Sequence, residues 1–244
     1  MEEEAPPAEP RSQRFVLWLH GLGDSGRANE SVAGYAFAGA RWAFPTEPTA
    51  PVTCNRGMLM PSWFDIHDTP ITSVSQTLNP RIALRSTQNH ISAGTRPEDV
   101  FVFGLSQGGA LSIASVPLYP KTLGGCAVFS GFLPFRSSFA SRVTDEAKKT
   151  PVLWVHGRAD FLVPIEAGKD GIKFLWGRLG MSCEFKVYDG LGHELAPYKL
   201  LYGERWADGG GGGSGEQVQG TSVDPGVPRS RGSCSCGFNF FSWS

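Results

Sequence analysis

The sequence predicts an α/β fold, a mostly parallel central sheet with helices on both faces. Three observations carry that prediction. Short, near-continuous apolar runs recur along the chain, the pattern of strands buried on both faces. Stretches with helical spacing separate them, and strand–helix alternation is how parallel strands are connected. Every cluster of residues able to do chemistry directly follows an apolar run, at the carboxyl end of a strand, where such sheets collect functional groups.

The elements follow in order. Residues 1–13 are acidic and proline-rich, which predicts a disordered lead that is neither a signal peptide nor a transit sequence. Arg14–Leu19 is the first buried strand and ends in the glycine-rich turn His20-Gly-Leu-Gly-Asp-Ser-Gly26. Modest helical character over Ala28–Ala38 precedes a short strand at Arg41–Phe44. Pro45, Pro48 and Pro51 force extended, irregular chain. Val52–Ile66 has no clean period and reads as a packed loop. Leu78–Ala93 reads as a helix with Pro80 in its first turn.

A strand from Val100 runs into Gly104-Leu-Ser-Gln-Gly108, and a helix over Gly109–Tyr119 is ended by Pro120. Gly125–Ser130 and Pro151–Val155 are further buried strands, the second followed by the polar turn His156-Gly-Arg-Ala-Asp160. Ile165–Leu179 has helical spacing that sets Ile172, Leu175, Trp176 and Leu179 on one side. Cys183–Tyr188 alternates like a more exposed strand. The turn Asp189-Gly-Leu-Gly-His-Glu194 and a short helix over Tyr198–Trp206 complete a domain spanning 14–208. Residues 209–244 begin with polyglycine and are polar thereafter, a composition that predicts no packed structure.

A chain of 244 residues suits one such domain. With 22 basic against 23 acidic residues and no Lys/Arg run, no field points to nucleic acid or to an anionic membrane. No apolar run approaches the roughly 18 residues of a membrane helix. Five cysteines form no regular framework, which suits a reducing, cytosolic interior. No His/Cys spacing resembles a metal site.

The strand–turn–helix context of Gly104–Gly108 makes it a nucleophile elbow, with Ser106 presented on a strained turn. A serine hydroxyl needs a base at neutral pH. Five histidines are available. His67 and His90 read as surface residues, and His20 and His156 as histidines bonded to local backbone. α/β-Hydrolases use the chain order Ser, acid, His, and only His193 leaves room for a strand-end acid after Ser106. Asp160 is the first choice for that acid, with Asp189 as the alternative. An oxyanion hole needs two backbone N–H groups. Gln107 supplies one, and the His20–Gly23 loop the other, with Leu22 favoured over Gly21 and Gly23.

These segments together resemble the acyl-protein thioesterase/carboxylesterase family of α/β-hydrolases, especially its plant members. His20–Gly26, Gly104–Ala110, His156–Asp160 and Gly190–His193 carry the resemblance; Pro51–Gly57, Ser62–Ile66 and Tyr119–Gly125 add to it. The resemblance implies cofactor-free hydrolysis of small esters or of acyl thioesters on protein cysteines. Ser106, Asp160 and His193 would be the triad, and Leu22 and Gln107 the oxyanion donors. It also implies a cytosolic monomer or weak dimer that touches a membrane surface at most transiently. The Met58–Phe64 segment matches a family segment near the acyl-binding side, which makes Met60 and Trp63 candidate lining residues; core filling is the competing role.

Three departures matter. Where family members continue beyond Phe64 into an acidic helix, His67-Asp-Thr-Pro-Ile-Thr72 and Asn79-Pro80 are more broken. Leu105 stands where family members usually carry Phe. The chain also passes into polyglycine soon after Trp206, where the family has a closing helix; a short or unanchored helix there would leave the sheet edge less covered. A ligand receptor or a catalytically weak interaction protein on the same fold is the alternative reading.

Overall fold

The computed structural model describes residues 13–71, 81–134 and 137–210. Residues 1–12, Pro80 and the tail from 211 lie outside them, and with them most of the predicted lead and tail. Among the described residues there are eight strands: β1 (Phe15–Leu19), β2 (Arg41–Ala43), β3 (Thr49–Val52), β4 (Met58–Pro61), β5 (Val100–Leu105), β6 (Gly125–Phe129), β7 (Val152–Gly157) and β8 (Cys183–Tyr188). The α-helices are α1 (Gly26–Asn29), α2 (Arg81–Ser92), α3 (Gln107–Ser115), α4 (Asp145–Lys148), α5 (Ile165–Leu179) and α6 (Pro197–Arg205).

Six strands form the central sheet in the order β2-β1-β5-β6-β7-β8, all parallel. The apolar runs are continuous because each strand buries alternate residues in two different cores. Phe15, Leu17, Val102, Val128 and Trp154 face one, where α3 adds Leu111 and Ile113 and α5 adds Leu175 and Leu179. Val16, Trp18, Phe103, Phe129 and Val155 face the other, covered by Val32, Phe37, Leu200 and Trp206. Each such side chain, fully buried, stabilises the fold by about 1.5–3 kcal/mol relative to exposure.

The closing helix is anchored. Trp206, just past α6, packs on Gly125 so closely that a Cβ there would lie 2.7 Å from the indole. Glu204 accepts a hydrogen bond from the Phe37 N–H at 2.7 Å, and Asp208 pairs with Arg14 at 2.6 Å. The helix is short, but the sheet face beneath it is covered.

Three expectations from sequence are corrected. Within the stretch expected to be irregular chain and a loop over Val52–Ile66, residues 49–61 instead form an antiparallel pair, β3 with β4, with Pro51 opposite Leu59. A two-stranded surface ribbon tolerates a proline that a central strand would not. His156 and Gly157 belong to β7 rather than to a turn. Trp176 is 64% exposed instead of sharing the buried stripe of α5. That stripe runs through Gly168 and Gly171, because the Trp154 ring occupies the adjoining space; a Cβ on Gly171 would lie 2.3 Å from it. The helix is thereby rotated, and Trp176 faces out.

Among the described residues no helix is long and apolar enough to cross a membrane.

Candidate active site

Topology decides which strand ends meet. β1 pairs with β5, with Leu19 opposite Gly104, so the turn after β1 abuts the turn after β5. β7 pairs with β8, with Gly157 opposite Tyr188, so the turns after these strands are also neighbours. The predicted motifs occupy these turns.

Ser106 has φ 55° and ψ −118°, a conformation that costs a non-glycine residue about 1–3 kcal/mol. Its neighbours hold it there: the Ser106 N–H donates to the Phe129 carbonyl at 2.8 Å, and its carbonyl accepts from the Ala110 N–H at 3.0 Å. The flanking glycines are required by close backbone approach. A Cβ on Gly104 would lie 2.4 Å from the Gly108 carbonyl, and one on Gly108 2.0 Å from the Leu19 carbonyl oxygen. Nothing there can yield, because the obstructing atoms are backbone. Gly108→Ala is therefore expected to lower the melting temperature by about 2–12 °C, from an overpacking cost of about 1–3 kcal/mol. An unchanged melt would contradict the tight crossing of β1 and α3.

Asp160 and His193 meet as their positions predict. Asp160 Oδ2 lies 2.7 Å from His193 Nδ1, and Oδ1 accepts the N–H groups of Leu162 at 3.1 Å and Val163 at 2.9 Å. Burial alone would raise this carboxyl's pKa. The hydrogen bonds from His193 and from the Val163 N–H outweigh it, and the pKa lies below the ordinary value. Asp160 is thus a carboxylate at neutral pH. It accepts a hydrogen bond from the Nδ1–H of His193 and leaves the Nε2 lone pair available. Asp189, the alternative acid, instead pairs with Arg158 at 2.6 Å on the surface. Among the described residues no hydrogen bond joins Ser106 Oγ to the imidazole; in substrate-free hydrolases such bonds commonly tighten only when substrate is bound.

Supporting groups surround this pair. His156 is wholly buried; it faces the Val163 carbonyl at 2.8 Å through Nε2 and accepts the Trp154 indole N–H at 3.3 Å on Nδ1. It therefore carries its proton on Nε2 and braces the turn that carries Asp160. Lys199 is also wholly buried and donates from Nζ to the Glu194 carbonyl, next to His193. Burial pushes its pKa down to about 8 although Asp160 and Glu194 pull it up. Nothing in the spacing of α6 marked this lysine as interior.

His20 and His156 make stability acid-sensitive. Burial pushes both below the ordinary 6.5, more strongly than the backbone bonds to Gly21 and Val163 pull them up. In the unfolded chain both protonate as pH falls through about 6.5, while the folded chain resists. Their contribution is complete above that pH and is lost as pH falls toward the lower folded values. Melting temperature is expected to drop between pH 7 and 5, with a shallower slope in His156→Asn. Equal slopes would contradict a neutral buried His156.

The oxyanion candidates lie on the paired turns of β1 and β5. Gln107 is the first residue of α3, so its N–H has no acceptor within the helix. The Gly23 N–H is committed to the Pro61 carbonyl at 2.9 Å, which leaves Leu22 and Gly21 as candidates on the other loop. Met60 is half-buried, its sulfur 3.5 Å from where a Cβ on Gly23 would stand. Trp63 is buried, its ring centroid 4.8 Å from that of His20. Among the described residues no group of His, Cys, Asp or Glu could hold a metal ion.

Comparison with known proteins agrees with this architecture. A phospholipase/carboxylesterase family model matches residues 3–201. A probable inactive carboxylesterase of Oryza sativa subsp. japonica is 68% identical over 84% of this chain and 88% of its own. Acyl-protein thioesterase 1 of Kluyveromyces lactis is 34% identical over 79% of this chain and 89% of its own. The crystal structure of Arabidopsis thaliana SOBER1, named a carboxylesterase, superposes with a TM-score of 0.77 at 47% identity. It covers 81% of this chain and 98% of that one.

Proposed function

The chain belongs to the phospholipase/carboxylesterase family of α/β-hydrolases, and from that premise we propose that it hydrolyses carboxylic esters or acyl thioesters through Ser106, Asp160 and His193. The observation that carries the reading is the 2.7 Å contact between Asp160 and His193, on turns at the same carboxyl edge of the parallel sheet as the strained Ser106. Ser106 Oγ attacks the acyl carbonyl as His193 Nε2 takes its proton. The Gln107 and Leu22 amides stabilise the tetrahedral oxyanion. His193 then protonates the departing alcohol or thiol, and water repeats the sequence to release the acid. Asp160 stays ionised throughout and stabilises the imidazolium.

Small esters and S-acylated proteins are the substrate classes, met by a cytosolic monomer or weak dimer without a cofactor. The relatives named carboxylesterase and acyl-protein thioesterase support both classes. Turnover of an acyl-chain series, offered once as aryl esters and once as thioesters, tests the assignment; saturable hydrolysis in at least one series is expected, and none in either would overturn it. The relative named probable inactive favours a second reading, a catalytically weak or ligand-binding protein on the same fold. Stoichiometric binding of a hydrolysis product without turnover would select that reading.

A further inference from the structure

The segment between β4 and the following chain touches both loops assigned above to the oxyanion hole. On the β1 side, the Pro61 carbonyl accepts the Gly23 N–H at 2.9 Å, and the Trp63 indole N–H donates to the His20 carbonyl at 2.8 Å. These two bonds bracket Gly21 and Leu22. On the β5 side, the Gln107 side chain is wholly buried and fully engaged. Its Oε1 accepts the Trp63 backbone N–H at 3.1 Å, and its Nε2 donates to Ser62 Oγ at 3.0 Å and to the Phe64 carbonyl at 2.7 Å. Ser62 Oγ in turn donates to the Phe64 carbonyl at 2.7 Å. The orientation of the Gln107 amide is fixed by its partners, because only Oε1 can face an N–H and only Nε2 a carbonyl.

We infer that Trp63 and the Gln107 side chain are positioning residues, which staple the two oxyanion loops together through Pro61–Phe64 and fix the separation of the oxyanion amides. Those amides come from strands whose ends could drift by tenths of an ångström without harm to the sheet. Oxyanion stabilisation, by contrast, depends on donors fixed in advance at hydrogen-bonding distance from an atom that exists only in the transition state. The staple supplies that rigidity from chain 40 residues away in sequence. It also gives Trp63 a role other than contact with the acyl chain: the residue is only 5% exposed, and its indole N–H and backbone N–H are both spent on the two loops.

The inference rests on the hydrolase reading above, and its test separates the two. Trp63→Phe keeps an aromatic ring and deletes the indole N–H. Gln107→Met keeps the backbone amide and deletes the side-chain bonds. For wild type and both variants, kcat and KM are measured on a short-chain aryl ester, alongside affinity for an aryl boronic acid, which mimics the tetrahedral adduct, and the melting temperature. Wild type is expected to turn over. Both variants should fold cooperatively and lose roughly ten- to a hundredfold in kcat, part of what removing an oxyanion donor costs, with KM within about twofold. Boronate affinity should fall in parallel with kcat. An inactive wild type would overturn the hydrolase reading and the staple with it. An active wild type with unchanged kcat in both variants would overturn the staple alone, as would a raised KM at unchanged kcat, which would return Trp63 to the substrate pocket.

Discussion

Ser106→Ala is expected to abolish ester turnover, with a loss of about 10⁶ in kcat, the scale seen when a triad nucleophile is removed. The fold should not suffer, because alanine and serine bear a similar penalty at φ 55°. Ser106→Gly extends the argument. Glycine takes positive φ without strain, so this variant should lose activity equally while gaining up to about 1 kcal/mol of stability. Thermal melts of both variants beside steady-state kinetics check the pair. Strain released together with lost chemistry is the signature of an elbow held for function. A destabilised glycine variant would mean that the serine side chain is structural.

Asp160→Asn should lower kcat by about 10⁴ with little change in KM. Oδ1 of residue 160 accepts the Leu162 and Val163 N–H groups, which fixes that end of the side chain as an acceptor. The amide NH₂ of an asparagine must then face His193 Nδ1, where a carboxylate oxygen now stands at 2.7 Å. An NH₂ in that position forces the proton onto Nε2 and removes the lone pair that should receive the Ser106 proton. The turn retains its backbone hydrogen bonds, so the melting temperature should shift little. Asp189→Asn, at the surface pair with Arg158, should leave turnover within about twofold. Comparable losses in the two variants would contradict the assignment of Asp160 as the acid.

The sheet and the turns that carry the candidate residues were legible because both depend on local signals. Buried parallel strands must be apolar on two faces, so β1, β5, β6 and β7 stand out as runs, and the motifs directly follow them. The β3–β4 hairpin was not legible: Pro45, Pro48 and Pro51 signal breaks, and only pairing with Met58–Pro61 makes a strand of Thr49–Val52. Trp176 misled for a related reason. Periodicity gives the apolar side of α5, but which part of that side is covered depends on the Trp154 ring, from a different strand. The bracing of the site was hidden for the same cause. Gln107 bonds to residues more than 40 positions away, and Lys199 is interior only because α6 closes over the turns of β7 and β8. Sequence reading identified Gln107 by its amide and was silent on its side chain.

Treatment of the wild-type protein with a fluorophosphonate tests whether Ser106 is an activated nucleophile. Attack by Ser106 Oγ on phosphorus expels fluoride, and the proton passes to His193. Intact mass and peptide mapping should find one phosphonyl adduct per chain, on Ser106, formed faster than on any other serine and absent in Asp160→Asn over the same interval. A protein that melts cooperatively yet leaves Ser106 unmodified would contradict the account.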